Sequence, residues 1–256
     1  MITQAMITQP DSPLVLELHP SPNIEPRFFG LEPSIVILHY TGLETVERAL
    51  DVLSRPDCKV SCHYVVDTDG RIIQMVTEEA RAWHAGVSFW QGVGDINSAS
   101  IGIEIQNPGH AHGYPEFPRV QMHAVAALAK DIIGRHGIRP ECVLAHSDIA
   151  PGRKIDPGEK FDWAWLAGRG VGHWVAPSPL DPDDAGLGLG ATGASVLAVQ
   201  HLLAGYGYKI EKNGVFDEAT QTVVRAFQLH FRPARCDGQL DRSTLDTLTR
   251  LAGALA

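Results

Sequence analysis

The chain of 256 residues has no long apolar run; its longest uninterrupted stretch is Ala124 to Ala129. A membrane-spanning helix needs about 18–20 such residues, so no span is expected. Cysteine is scarce: Cys58, Cys62, Cys142 and Cys236 are too few, in a chain this long, to form a disulfide scaffold. Basic residues are in deficit, with 21 Lys and Arg against 30 Asp and Glu and a net charge of −9. Neutralising a phosphate backbone requires the opposite balance, so nucleic acid is not an expected partner. The N-terminal MITQAMITQPDSP also lacks the basic start and apolar stretch of a secretory signal. What the chain does have is 44% hydrophobic and 20% charged residues, a globular composition, and length for one large or two modest domains.

The clearest seam lies between about Val175 and Thr192, where proline, glycine and aspartate leave little to bury. Charge changes across it. Residues 1–185 carry 14 Lys or Arg against 24 Asp or Glu, whereas residues 186–256 carry 7 against 6. Ten of the 12 histidines precede residue 186. Histidine is the commonest metal ligand and a frequent proton carrier, so the chemistry is expected in the first part. The predicted division is residues 1–175, a linker over 176–192 acting as a flexible tether, and residues 193–256.

In the first part, Ile35–Leu38 reads as a short buried strand. Val46, Ala49, Leu50 and Leu53 follow helical spacing, and so do Val125, Leu128 and Ile132 in a segment that Gly137 would end. His63–Asp67 and Arg71–Val76 flank an Asp69-Gly70 turn and predict a hairpin. Ile101, Ile103 and Ile105 alternate along a further strand. Mixed strands and helices in this order predict an α/β domain with a mixed central sheet flanked by helices. The second part carries an internal echo: Gly214–Thr220 recurs as Gly238–Thr244, each with an Asp placed to cap the next helix. Three short helices are expected there.

The segment His146–Gly158 reads HSDIAPGRKIDPG. It places His146 after an apolar run, with Asp156 ten residues on in a loop punctuated by proline and glycine. Lys154 and Asp156, two apart, project to one side of an extended segment. His39, ending the Ile35–Leu38 strand, supplies a second imidazole. Two histidines and a carboxylate leave a fourth tetrahedral position open, the pattern of a catalytic zinc site. Spacing alone leaves hydrogen-bonded strand-end histidines as the commoner reading. On the strand Ser100–Gln106 the isoleucines share one face and leave Gly102 and Glu104 on the other. Glu104 can be a proton carrier there or a solvated edge residue. Cys58, Cys62 and His63 lack the second cysteine pair of a thiolate site; His110 and His112 fall in a Gly/Pro-rich loop; Arg153 reads as a substrate clamp or a loop brace.

IVILHYTG (35–42), VSCHYVVDTDG (60–70), RAWHAG (81–86), NSASIGIEIQNPG (97–109) and HSDIAPGRKIDPG occur in this order. Together they resemble the zinc-dependent N-acetylmuramoyl-L-alanine amidases of the AmpD-like type. The stretches VLAVQHLLAGYGY, NGVFDEATQTVVRAFQ and DGQLDRSTLDTL resemble the three-helix peptidoglycan-binding module fused to bacterial cell-wall hydrolases. The resemblance implies an amidase/peptidoglycan-recognition-like fold followed by a small three-helix domain. It implies Zn2+ held by His39, His146 and Asp156, with Glu104 as catalytic acid/base and Lys154 as oxyanion stabiliser. His84, Trp83 and Lys59 are the expected substrate contacts, although Lys59 stands where some relatives carry arginine.

The implied reaction is hydrolysis of the amide between N-acetylmuramic acid, or its anhydro form, and L-Ala of the stem peptide. Peptidoglycan or soluble muropeptides are the implied partners, and no obligate protein partner is expected. Binding without cleavage, or cleavage within the stem, are the rival readings. The missing signal and few cysteines predict a cytoplasmic enzyme. A module for polymeric peptidoglycan makes the periplasm the alternative.

Overall fold

The computed structural model describes residues 7–255. The first residues of the N-terminal stretch read above as lacking a signal lie outside that range.

The strands of the first part are β1 (Glu17–Leu18), β2 (Ile24–Pro26), β3 (Ile35–Tyr40), β4 (Tyr64–Val66), β5 (Ile72–Gln74), β6 (Ala80–Ala82), β7 (Ser100–Ile105) and β8 (Val143–Ala145). Its helices are α1 (Val46–Ser54), α2 (Ile96–Ala99), α3 (Arg119–His136), α4 (His146–Ile149) and α5 (Trp163–Ala167). Six strands form one mixed sheet in the order β1-β5-β4-β7-β3-β8, and β2 pairs with β6 apart from it. Residues Ile35–Leu38 are fully covered, as expected of a strand walled on both faces. Parallel neighbours β7 and β8 flank β3, so the three strands end on the same side. That shared edge is where ligands meet an α/β sheet.

The expected hairpin is β4–β5, antiparallel, closed by bonds between Asp67 and Arg71. Helix α1 buries Val46, Ala49, Leu50 and Leu53, and Thr45 caps it. Helix α3 ends at Gly137, whose left-handed backbone (φ 63°) a side chain would disfavour.

Helices α6 (Ala194–Tyr206), α7 (Glu218–Phe231) and α8 (Arg242–Gly253) complete the chain. Asp217 and Asp241 cap α7 and α8 through the backbone N–H groups of Thr220 and Thr244. The internal echo extends further than the sequence pattern suggested. Gln200 donates to the Val215 carbonyl and Thr220 hydroxyl and accepts from Gly214 N–H. Gln228 repeats this set with Gln239, Thr244 and Gly238.

The flexible tether expected over residues 176–192 takes a different form. Ser178 bonds Thr247 and Ser243, Leu187 pairs with Leu240, and Thr192 bridges to Val215. Its prolines and glycines let it turn closely over the helices rather than hang free. The helices also pack on the sheet domain, and one hydrophobic core runs through both parts.

Candidate active site

β3 ends on His39 and Tyr40, β7 carries Glu104, and β8 runs directly into His146. Register pairs His39 with Glu104, so both side chains leave the sheet on the same face. The loop after α4 returns Asp156 to that spot, where its carbonyl accepts from Ser147 N–H at 3.1 Å.

Three atoms converge. His39 Nδ1 lies 2.8 Å from His146 Nδ1 and 3.1 Å from Asp156 Oδ2, and His146 Nδ1 lies 3.0 Å from the same oxygen. All three residues are buried. The outer hydrogen bonds fix what these atoms carry. The Ser100 hydroxyl donates to the Ile96 carbonyl at 2.6 Å, so its oxygen accepts from His84 Nε2–H at 3.2 Å. His84 Nδ1 is then the acceptor for His39 Nε2–H at 3.0 Å, which leaves His39 Nδ1 bare. His146 Nε2–H donates to the Ala85 carbonyl at 3.1 Å and leaves its own Nδ1 bare. Two imidazole lone pairs and a carboxylate oxygen thus face one point, an arrangement that a cation satisfies.

Electrostatics agree with this. Burial, helped by His146, lowers His39 to about 4 against the pull of Asp156, so its ring is neutral at pH 7. Burial alone would raise Asp156, but whenever His146 or His39 takes up a proton its charge and Nδ1–H hydrogen bond outweigh that burial and hold the carboxyl well below its usual range. Burial pushes Glu104 well above the carboxylate range; the Asp156 charge adds to this and the Lys154 ammonium opposes it. Glu104 Oε2 is buried without a hydrogen-bond partner among the described residues, an acceptor held in reserve.

A cleft of about 280 Å³ opens on these groups, and Tyr40, Val60, Trp83, His84 and Lys154 help to line it. Seven of the residues singled out in the sequence therefore meet in one place. Lys59 does not join them. It ends a short 3-10 turn in a left-handed conformation (φ 52°), with its side chain exposed, while Val60 and Ser61 face the cleft. The His84 ring bonds His39 and Ser100, and Trp83 is anchored by its indole N–H to Glu25 at 3.0 Å.

Arg153 braces the loop by donating to the Ala85 and Val87 carbonyls. His110 is fixed between the Tyr40 hydroxyl at 3.1 Å and Glu159 at 3.0 Å, and stacks on Tyr114. The four cysteines are free. The sequence alone assigned no role to Asn97, Ser100 and Gly102. Asn97 Oδ1 accepts from the His84 and Ala85 N–H groups, and a Cβ on Gly102 would come within 2.5 Å of the His84 ring. Their signal was a run of small polar residues leading into a buried strand.

Comparison with known proteins adds to this geometry. Residues 29–159 match the family model described as N-acetylmuramoyl-L-alanine amidase, and residues 192–248 match a putative peptidoglycan binding domain. The chain is 38% identical over 222 residues to the N-acetylmuramoyl-L-alanine amidase AmiD of Escherichia coli, covering 82% of this chain and 79% of that protein. Over 162 residues it is 32% identical to the 1,6-anhydro-N-acetylmuramyl-L-alanine amidase AmpD of the same species, covering 57% of this chain and 86% of that one. The structure superposes with a TM-score of 0.73 on AmiD in complex with the substrate anhydro-N-acetylmuramic acid-L-Ala-D-gamma-Glu-L-Lys, at 36% identity over 88% of this chain and 91% of the other. AMPDH3 from Pseudomonas aeruginosa, in complex with anhydromuramic pentapeptide, gives a TM-score of 0.72 at 31% identity, covering 87% and 92%.

Proposed function

The chain belongs to the N-acetylmuramoyl-L-alanine amidase family, and on that footing we propose how its own residues carry out the reaction. The enzyme hydrolyses the amide between N-acetylmuramic acid, in its ordinary or anhydro form, and L-Ala of the peptidoglycan stem, in cell-wall recycling. The observation that carries the assignment of roles is the convergence of two bare imidazole nitrogens and a carboxylate oxygen beside Glu104, whose buried Oε2 has no hydrogen-bond partner among the described residues.

His39, His146 and Asp156 would hold Zn2+, a borderline-soft ion suited to this nitrogen and oxygen set. Bound there, zinc supplies Lewis acidity to the scissile carbonyl and acidifies the attacking water. Glu104 takes the water's proton and returns it to the departing L-Ala amine. The Lys154 ammonium offsets the charge that develops on the carbonyl oxygen, an effect worth about 3–4 kcal/mol for a well-placed donor. Trp83 and Tyr40, on the cleft walls, exclude water around the reacting bond.

Residues 1–175 form the catalytic unit, 176–192 the connection and 193–256 the peptidoglycan-binding unit; the two matched family regions support this division. No helix among the described residues is long and apolar enough to cross a membrane. Four free thiols favour a reducing compartment, and we assign the enzyme to the cytoplasm. Release with the periplasmic fraction of the host would overturn that assignment.

Mass analysis of muropeptides after incubation with the zinc-loaded protein tests the reaction. Free muramyl sugar and an intact stem peptide are expected. Cut stems would move the scissile bond, and intact substrate after long incubation would leave a binding protein.

A further inference from the structure

The joint between the two parts of the chain closes on one carboxyl group. Asp148 sits on α4, two residues beyond His146, and is buried. Its Oδ2 accepts from the Ala145 backbone N–H at 2.8 Å and from His230 Nδ1–H at 2.6 Å. Its Oδ1 accepts from the Tyr208 hydroxyl at 2.6 Å. Ala145 is the last residue of β8. The other two donors come from the C-terminal helices: His230 lies on α7, and Tyr208 follows α6.

The donors are held firmly. The His230 ring stacks between Trp163, with centroids 3.7 Å apart, and Phe231 at 3.8 Å. Tyr208 packs edge-on against Trp90 at 4.9 Å. Gly207 lets the helix end approach that indole, since a Cβ there would lie 2.6 Å from it. Gly152 gives the loop before Lys154 the same closeness to Thr222 of α7, where a Cβ would lie 2.7 Å away.

Helix α4 is a single turn of four residues and has little stability of its own. Its N-terminus is tied by Asp148 reaching back to Ala145, its first residue is His146, and its Ser147 N–H holds the Asp156 carbonyl. The turn therefore sets the position of two of the three converging residues, and Asp148 is oriented from the far side by His230 and Tyr208.

We propose that Asp148 is a positioning residue through which the C-terminal helices hold the metal site in shape. The peptidoglycan-binding unit is then a structural part of the catalytic centre as well as a grip on substrate. This rests on reading His146 and Asp156 as metal ligands. Without His230 and Tyr208 a buried carboxylate loses two of its three donors, and the turn carrying His146 relaxes to rehydrate it.

The test is the zinc affinity of the intact two-part chain, measured by competition with a chromogenic chelator and so independent of turnover. His230→Phe keeps the aromatic stack and removes the donor; zinc binding should weaken about tenfold or more. His230→Asn, whose amide nitrogen can occupy the Nδ1 position, should recover most of that loss. Tyr208→Phe should weaken binding severalfold. Gln91→Ala removes the bond from Gln91 to the Tyr206 carbonyl across the same joint without touching Asp148. It should lower Tm and leave zinc affinity within about twofold, since all three donors to Asp148 remain in place. Wild-type affinity in folded His230→Phe, or an equal loss in Gln91→Ala, would overturn the proposal. Should His230→Phe fail to fold, unchanged affinity in Tyr208→Phe overturns it equally. Absence of zinc binding by the wild-type chain would instead remove the ligand assignment, and this inference with it.

Discussion

His39 and Glu104 occupy opposed register positions on adjacent parallel strands, β3 and β7, so the sheet itself sets the distance between a metal-facing imidazole and the proton carrier. A base built on two rigid strands needs no loop closure to find its place. Replacing Glu104 by Gln keeps the shape and removes the proton acceptor. Activity should fall about 10²–10⁴-fold with zinc binding retained. The burial that raises the Glu104 carboxyl has a pH consequence. The group works as a base only when ionised, and a raised pKa means the ionised form is lost as pH falls while still above the ordinary range. The acid limb of kcat/KM should therefore lie well above the usual glutamate value of about 4.3 and vanish in Glu104→Gln. A limb at the ordinary value would show that the bound metal cancels the effect of burial.

The Ser100–His84–His39 chain predicts a second effect on the metal. His84→Phe removes the acceptor that keeps the proton on His39 Nε2, freeing that ring to take the wrong tautomer. Zinc affinity should drop about 10–100-fold, with a smaller change in KM. Gly102→Ala approaches the same end sterically, because its Cβ would intrude on the His84 ring. A His84 variant with normal zinc affinity and raised KM would return this residue to the role of a substrate contact.

The sequence carried much of this site because its chemistry sits at strand ends, where alternation and local apolar runs are easy to read. Val143–Ala145 leads into His146, and Ile101, Ile103 and Ile105 push Glu104 to the opposite face. The residues it concealed act across distance. Asp148 and His230 are 82 positions apart, and nothing in either neighbourhood announces the partner. Gln200 and Gln228 look like surface polar residues on helices, yet both are buried and each satisfies a turn. Residues 176–192 misled for a related reason: composition reports what a segment cannot bury, whereas backbone bonds such as Leu187 to Leu240 need no apolar side chain.

Acid stability should depend on Glu78. This buried carboxylate accepts from Arg135, His136 and the Tyr64 hydroxyl, and so joins the end of α3 to the sheet. Burial alone would raise it, but those hydrogen bonds prevail and lower it to about 2. A carboxyl depressed in the folded state stabilises fully above its unfolded value, and the contribution is lost as pH falls toward the folded one. Between roughly pH 4.5 and 2 the protein should lose on the order of 3 kcal/mol from this group. In Glu78→Gln the denaturation midpoint should be lower at pH 7 and flatter across that window. An unchanged slope would locate the acid sensitivity elsewhere.

Zinc retention should extend to lower pH than at an ordinary histidine site. Protons and metal compete for the same imidazole lone pair, so affinity falls as pH drops through the pKa of the free ligand. For an unperturbed histidine that begins near pH 6.5. Burial and the neighbouring His146 lower His39 to about 4, which leaves its Nδ1 available to metal well below that point. Asp156 stays a carboxylate ligand over the same interval, because protonating either ring only strengthens the pull that keeps it ionised. Dialysis of the loaded enzyme through a descending pH series, with zinc measured by atomic absorption, should show retention at pH 5.5 and release nearer pH 4–5. Chelation at pH 7 should abolish activity, and added zinc should restore it. Release already complete at pH 6 would mean that burial does not shield the site's imidazole nitrogens from protons as it is argued to do at His39.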